Sequence, residues 1–294
     1  MEDMQKKIVL ITGATGGIGK ATATALAAQG HTVVIHGRHE EKTRAVRDEI
    51  RLITGNKDVD MVTADLYLIR EVYRLVGDFT SRYAKLDVLI NNAGGIMGKN
   101  MEITDEGIEK TFALNLMTPF LLSRLLWGHL IAAKYARVIN VSSNSHKLNA
   151  KPDMQDLQLK RHYNPLHAYG NAKLFLIWIS RHFAHEASGI PGVNITVNTV
   201  DPGAVNTGFG KGRDFGMLIN LLAGLAKPFF RTPEKGADTL IYLASVAQAK
   251  FNGKYIKDRR IAAVSEKHYS VEKELHVWQY CVQLAGTLIP GQKK

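Results

Sequence analysis

Cysteine is nearly absent: Cys281 is the only one in 294 residues. A lone thiol excludes an internal disulfide framework. No Cys/His cluster stands at metal-ligand spacing either, so no metal is expected and a reducing compartment is the default. Long apolar runs are also missing. None reaches the roughly 20 residues that span a bilayer, so no transmembrane segment is expected. The opening stretch, MEDMQKKIVLITGATGG, is charged and runs straight into a strand-like segment. It lacks the apolar core and small-residue cleavage site of a secretory signal, and a cytoplasmic location is expected. The net charge is +11, yet the Lys and Arg residues are dispersed, with no aromatic-interleaved basic patch. Nucleic acid is therefore not expected as a partner, and weak contact with a membrane surface is the most the charge suggests.

What is present is alternation. KIVLITG (7–13), HTVVIHG (31–37), KDVDMVTAD (57–65), LDVLINNAG (86–94), ARVINVSS (136–143), VNITVNTVDPG (193–203) and FNGKYI (251–256) read as strands. Helical stretches lie between them at about 18–29, 40–53, 66–83, 105–131 and 167–187. Buried strands alternating with helices predict an α/β fold: a doubly wound, mostly parallel sheet of about seven strands with helices on both faces. No linker or repeat divides the chain, so one domain over 1–294 is expected. It carries an excursion at 208–232 and a helical C-terminal extension over about 258–294.

The first strand-to-helix turn, ITGATGGIGKATA, places Gly13, Gly17 and Gly19 where a phosphate could approach the backbone and the N–H groups of a helix start. Its spacing is neither G-x-G-x-x-G nor a nucleoside-triphosphate loop, since Ala14 and Ala21 stand where the latter needs Gly and Ser or Thr. At the end of the second strand, where an acidic residue would hold a ribose 2′-hydroxyl, stands Arg38, and Lys20 adds a cation at the head of the first helix. Arg pairs with a 2′-phosphate by forked hydrogen bonds, whereas an acid would repel it. This predicts NADP(H) rather than NAD(H).

Two Tyr-x-x-x-Lys pairs occur, Tyr169 with Lys173 and Tyr269 with Lys273, and spacing alone does not separate them. Their surroundings do. T-G-x-x-x-G-x-G at 12–19, NNAG at 91–94, Asn115, Ser143, Tyr169-x-x-x-Lys173, and Pro202-Gly203 followed by Thr207 occur in one order over residues 7–207. In this the chain resembles the short-chain dehydrogenase/reductase family, whose fold is the Rossmann fold. VSSNSHKLNAKPDMQDLQ and RTPEKGADTLIYLA give it the flavour of the retinol-dehydrogenase-like branch. It departs from that branch at Ala172, where Ser is common, and at Asp201, where His is common.

The resemblance implies roles. Asn115, Ser143, Tyr169 and Lys173 would be catalytic, and Tyr269 with Lys273 a surface decoy. Gly13, Thr15, Gly16, Gly17, Ile18 and Gly19 would hold the cofactor phosphates, and Asp65 and Leu66 would meet the adenine. Asn92, Ala93 and Gly94 would line the adenosine ribose, and Pro202, Val205 and Thr207 the nicotinamide. Tyr169 would move a proton as hydride passes between cofactor and a carbonyl or alcohol, with Ser143 holding the same oxygen. Lys173 is expected to favour the phenolate. A catalytically silent dinucleotide sensor is the competing reading, though such proteins typically lose the tetrad that this chain keeps. The uncharged middle of the excursion is expected to be a lid over a hydrophobic substrate, lined by Met217, Leu218 and Leu221. The helices at 120–131 and 174–180 are apolar almost all round, which predicts a homodimer that covers them.

Overall fold

The computed structural model describes residues 6–206, 230–246 and 250–287. Eight strands form one sheet in the order β3-β2-β1-β4-β5-β6-β7-β8. They are β1 (Ile8–Ile11), β2 (Thr32–Gly37), β3 (Val59–Thr63), β4 (Val88–Asn91), β5 (Ala136–Val141), β6 (Ile195–Asp201), β7 (Tyr255–Lys257) and β8 (Arg260–Ile261). All pairs from β3 to β7 are parallel. The unanticipated β8 is antiparallel to β7. It is a two-residue return of a tight hairpin whose turn residues, Asp258 and Arg259, take positive φ. That pattern is too short to show as periodicity.

Side-chain alternation explains why the sheet is covered twice. Leu10, Val34, Leu89, Val138 and Val197 point into one apolar layer, and Val9, Ile11, Val33, Ile35, Ile90, Ile139 and Val200 into the other. The second layer is closed by α1 (Gly17–Ala28), α2 (Glu40–Thr54) and α9 (Pro233–Ser245), and the first by α3 (Ile69–Arg82), α5 (Thr118–Leu125), α8 (Pro165–Ser188) and α10 (Val271–Thr287).

The long helix expected over 105–131 is broken. It starts as α4 (Lys110–Phe112), opens into a π turn over Ala113–Met117, continues as α5 and resumes as α6 (Trp127–Ile131). The Glu109 carboxylate caps its start, accepting from the N–H groups of Thr111 (2.8 Å) and Phe112 (2.7 Å). The π turn coincides with a side chain that takes a backbone acceptor: Asn115 Nδ2 donates to the carbonyl of Thr111 at 2.8 Å.

The apolar surfaces of α5 and α8 are covered within the chain. Trp278 of α10 sits against Phe120 (ring centroids 5.2 Å), Phe183 (4.7 Å) and His182 (4.0 Å). Part of the surface on which the homodimer expectation rested is thus packed against α10, while Ile131 at its end is 42% exposed. Tyr269 belongs to the same packing. It precedes α10 rather than lying on it, its ring meets Trp178 at 5.9 Å, and the Arg181 guanidinium lies over it at 5.2 Å. It is a half-buried packing residue, not a surface one, and shares no helix face with Lys273. Among the described residues, no helix is long and apolar enough to cross a membrane.

Candidate active site

The strand order reverses at β1 and β4, and a cleft of about 710 Å³ opens at the carboxyl ends of the strands there. Gly13, Thr15, Gly16, Gly17, Ile18, Gly19, Arg38, Asp65, Leu66, Asn92, Ala93, Gly94, Ser143, Tyr169, Lys173, Pro202 and Val205 all line it. Thr207, Met217, Leu218 and Leu221 lie outside the described residues, as does most of the 208–232 excursion.

The glycine turn is tight because it must be. A Cβ on Gly19 would stand 2.4 Å from the Gly13 carbonyl oxygen and 2.5 Å from Asn92 Nδ2. Asn92 Nδ2 itself donates to the carbonyls of Thr12 (2.8 Å) and Gly13 (3.1 Å), tying β4 to the turn. Helix α1 begins without a side-chain cap or an acidic residue in its first turn. Its first N–H groups therefore face the cleft unpaired within the helix, a setting suited to an anion.

His36 was not anticipated. Buried in β2, it accepts from the Gly13 N–H at Nδ1 (3.2 Å) and lies 3.1 Å from the Ala64 carbonyl at Nε2. The first contact makes Nδ1 the bare nitrogen, so Nε2 carries the proton and donates. Burial pushes its pKa down to about 4. A histidine at a buried position of VVIHG was the available signal.

At the cationic end of the cleft, Arg38 is exposed, with His39 and Lys42 beside it. Lys20, expected as the second cation, is turned away and pairs with Glu49 at 2.6 Å. Lys42 takes that place. It lies in the first turn of α2 and lines the cleft beside Arg38 and His39, a fact the linear order did not show.

At the other end, Lys173 is 3% exposed, and its ammonium donates to the Val141 carbonyl at 2.8 Å and lies 5.5 Å from the centre of the Tyr169 ring. Burial pulls its pKa down to about 7. Burial likewise pushes the Tyr169 hydroxyl well above its ordinary value. A hydrogen bond with Ser143 opposes that rise and the charge of Asp201 adds to it. The net direction is opposite to the one expected from Lys173, because desolvation is the largest cause.

Asn115 does not line the cleft. It is fully buried behind it, accepting from the Gly95 N–H (3.2 Å) and donating to the Gly95 carbonyl (2.7 Å). A Cβ on Gly94 would come within 3.0 Å of Asn115 Oδ1 and 3.4 Å of Lys173 Nζ. The glycine keeps open the space between these two groups. A dinucleotide fits this set of residues: glycine backbone and a free helix start midway, cations at one end, a hydroxyl pair and an ammonium at the other.

Residues 7–214 match the model of the short chain dehydrogenase family. Human polyprenol dehydrogenase is 32% identical over 292 residues, covering 96% of this chain and 86% of its own. Mouse retinol dehydrogenase 12 is 34% identical, with 95% and 86% covered. Among solved structures, a Mycobacterium paratuberculosis protein of uncharacterized role superposes with a TM-score of 0.75 at 25% identity, covering 98% of this chain and 97% of that one. A Caenorhabditis elegans short-chain dehydrogenase/reductase solved with cofactor gives a TM-score of 0.68 at 29% identity, with 86% and 94% covered.

A doubly wound sheet with this cleft and these matches defines an oxidoreductase, and the chain belongs to the short-chain dehydrogenase family. Within that family it lies in the retinol-dehydrogenase-like branch.

Proposed function

We propose that the protein is an NADP(H)-dependent enzyme interconverting a carbonyl and an alcohol on a hydrophobic small molecule, in the cytoplasm. The observation that carries this reading is the polarity of the cleft. Arg38 and Lys42 stand at one end, where an acid would select a free ribose, and Ser143, Tyr169 and Lys173 converge at the other. The bound nicotinamide would supply or receive the hydride.

The chain's own residues do the rest. Tyr169, held as a hydroxyl by its burial, donates a proton to the carbonyl oxygen in reduction and accepts one in oxidation. Ser143 donates to the same oxygen and orients it. Lys173 fixes the end of β5 through Val141 and places positive charge beside the tyrosine. Asn115 holds the loop at Gly95 that floors the site.

The names of the relatives support a hydrophobic substrate: polyprenol and retinol are long apolar alcohols, and a Streptomyces relative is named as a daunorubicin ketoreductase. A Pseudomonas aeruginosa structure at 26% identity, described as an NADP active-site complex, supports the cofactor. The test is a panel of long and short aldehydes, ketones and alcohols assayed with NADPH, NADH and their oxidised forms. Turnover of long apolar substrates with NADP(H) is expected. A preference for NAD(H), or no turnover of any member, would reject the proposal.

A further inference from the structure

Asp201 ends β6, and its carboxylate is 3% exposed. Alternation along β6 sets its direction. Val200 joins the layer of α1 and α9, whereas Val197 joins the layer of α8, so Asp201, four residues beyond Val197, faces the layer that carries Tyr169. The adjoining strand end is Ser142, whose N–H donates to the Val200 carbonyl at 2.8 Å, and Ser143 follows. The carboxylate is anchored at both oxygens. Oδ1 accepts from the Gly203 N–H at 2.9 Å, and Oδ2 lies 3.4 Å from the Lys257 ammonium.

Other charged and titratable groups face this corner. Tyr255 of β7 is 3% exposed, and burial, then the Asp201 charge and a hydrogen bond to that carboxylate, push its hydroxyl upward. The His146 ring, from the short helix α7 (Ser145–Leu148), packs on Tyr255 at 4.9 Å and contacts the Ser143 carbonyl at 2.7 Å. Burial holds that histidine below its ordinary pKa. Arg231 is occupied by Asp258, at 2.5 and 3.1 Å. From α8 come Tyr169 and Lys173. Among the described residues, Lys257, itself 38% exposed, is thus the one cation paired directly with Asp201.

We propose that Asp201 is a positioning residue for the proton step: its anchored carboxylate keeps Tyr169 in the hydroxyl form and biases the site toward carbonyl reduction. A fixed negative charge at the strand end beside the tyrosine opposes phenolate formation, which oxidation needs and reduction does not. Neutral reduction is therefore favoured, and alcohol oxidation is displaced to alkaline pH. This rests on Tyr169 being the proton-carrying group.

The test is the Asp201→Asn variant saturated with oxidised cofactor. Phenolate absorbance in the near ultraviolet is titrated and corrected by the same variant carrying Tyr169→Phe. The phenolate should appear about half to one pH unit lower than in wild type, the size expected for one screened charge at an effective dielectric of about 20. Oxidation near neutrality should rise roughly three- to tenfold, with cofactor affinity unchanged. Lys257→Met, at a partly exposed site, should move the titration the opposite way by unmasking the carboxylate. Superimposed titrations for wild type and both variants, or shifts of the same sign, would overturn the proposal. The absorbance readout needs no turnover, so it is decided even if no substrate is found. Loss of turnover in Tyr169→Phe without any displacement by Asp201→Asn would leave the proton role standing and remove Asp201 from it.

Discussion

At the scale of single residues, function is concentrated in groups whose environment changes their chemistry. Burial shifts Tyr169 and Lys173 in opposite directions, the hydroxyl upward and the ammonium down to about 7. Removing only the tyrosine oxygen leaves the ring in place. Tyr169→Phe is therefore expected to reduce kcat by roughly 10²- to 10⁴-fold with cofactor affinity nearly unchanged, as steady-state kinetics and cofactor titration will read. Arg38 is exposed, so replacing it disturbs no core. Arg38→Asp should weaken NADPH by roughly 10- to 100-fold, the worth of a charged hydrogen bond, and NADH much less. Lys42→Ala should act in the same direction with smaller effect. An unchanged preference in both would remove this pair as the readers of the 2′-phosphate.

At the scale of elements, each functional group is placed by a strand end or a helix start. Ser143 follows β5, Asp65 follows β3, and Arg38 follows β2. The Asn164 side chain caps α8, accepting from Leu166 and His167 N–H at 3.0 Å, and Pro165 starts the helix that delivers Tyr169 and Lys173 to one face. The C-terminal helix α10 covers part of the face where a second subunit was expected. Trp278 is 8% exposed among Phe120, His182 and Phe183. Trp278→Ala should destabilise the fold by about 3–5 kcal/mol, as chemical denaturation will measure. It should also bare the α5 and α8 surface, so light scattering should show self-association in the variant and a monomer in the wild type. A stable dimer in the wild type would show that other surfaces pair.

At the scale of the whole molecule, two apolar layers sandwich one sheet, and the sheet's open crevice takes the polar work. Histidines inside this frame make stability depend on pH. The pKa of His36 falls from the ordinary 6.5 to about 4 on folding, and burial lowers those of His31 and His146 as well. Below pH 6.5 the unfolded chain binds protons that the folded chain does not, so acid favours unfolding. The stabilising contribution is complete above about pH 6.5 and is lost as pH falls toward 4. For His36 alone the loss amounts to about 3 kcal/mol. Urea midpoints should begin to fall below pH 6.5, above the range in which carboxylates titrate. A flat stability from pH 7.5 to 4.5 would contradict the buried, neutral state of His36.

The order of strands and helices, the glycine turn and the Tyr169–Lys173 pair were legible in the sequence, because local periodicity and local spacing express them. The π turn at Asn115 was not. It coincides with a side chain bonding to the Thr111 carbonyl, which hydropathy does not record. Nor was the exchange of Lys20 for Lys42, since Lys20 is drawn off by Glu49 from the neighbouring helix. The direction of the Tyr169 shift depended on how much protein surrounds it, with Ser143 and Asp201 brought in from distant stretches of chain. The cover of α5 and α8 by α10 likewise joins stretches far apart in the chain. The sequence by itself determined which residues could carry the chemistry and on which elements they sit. Only the tertiary structure decided their charges, partners and burial, because desolvation and Coulomb energy depend on distances in space and not on distance along the chain.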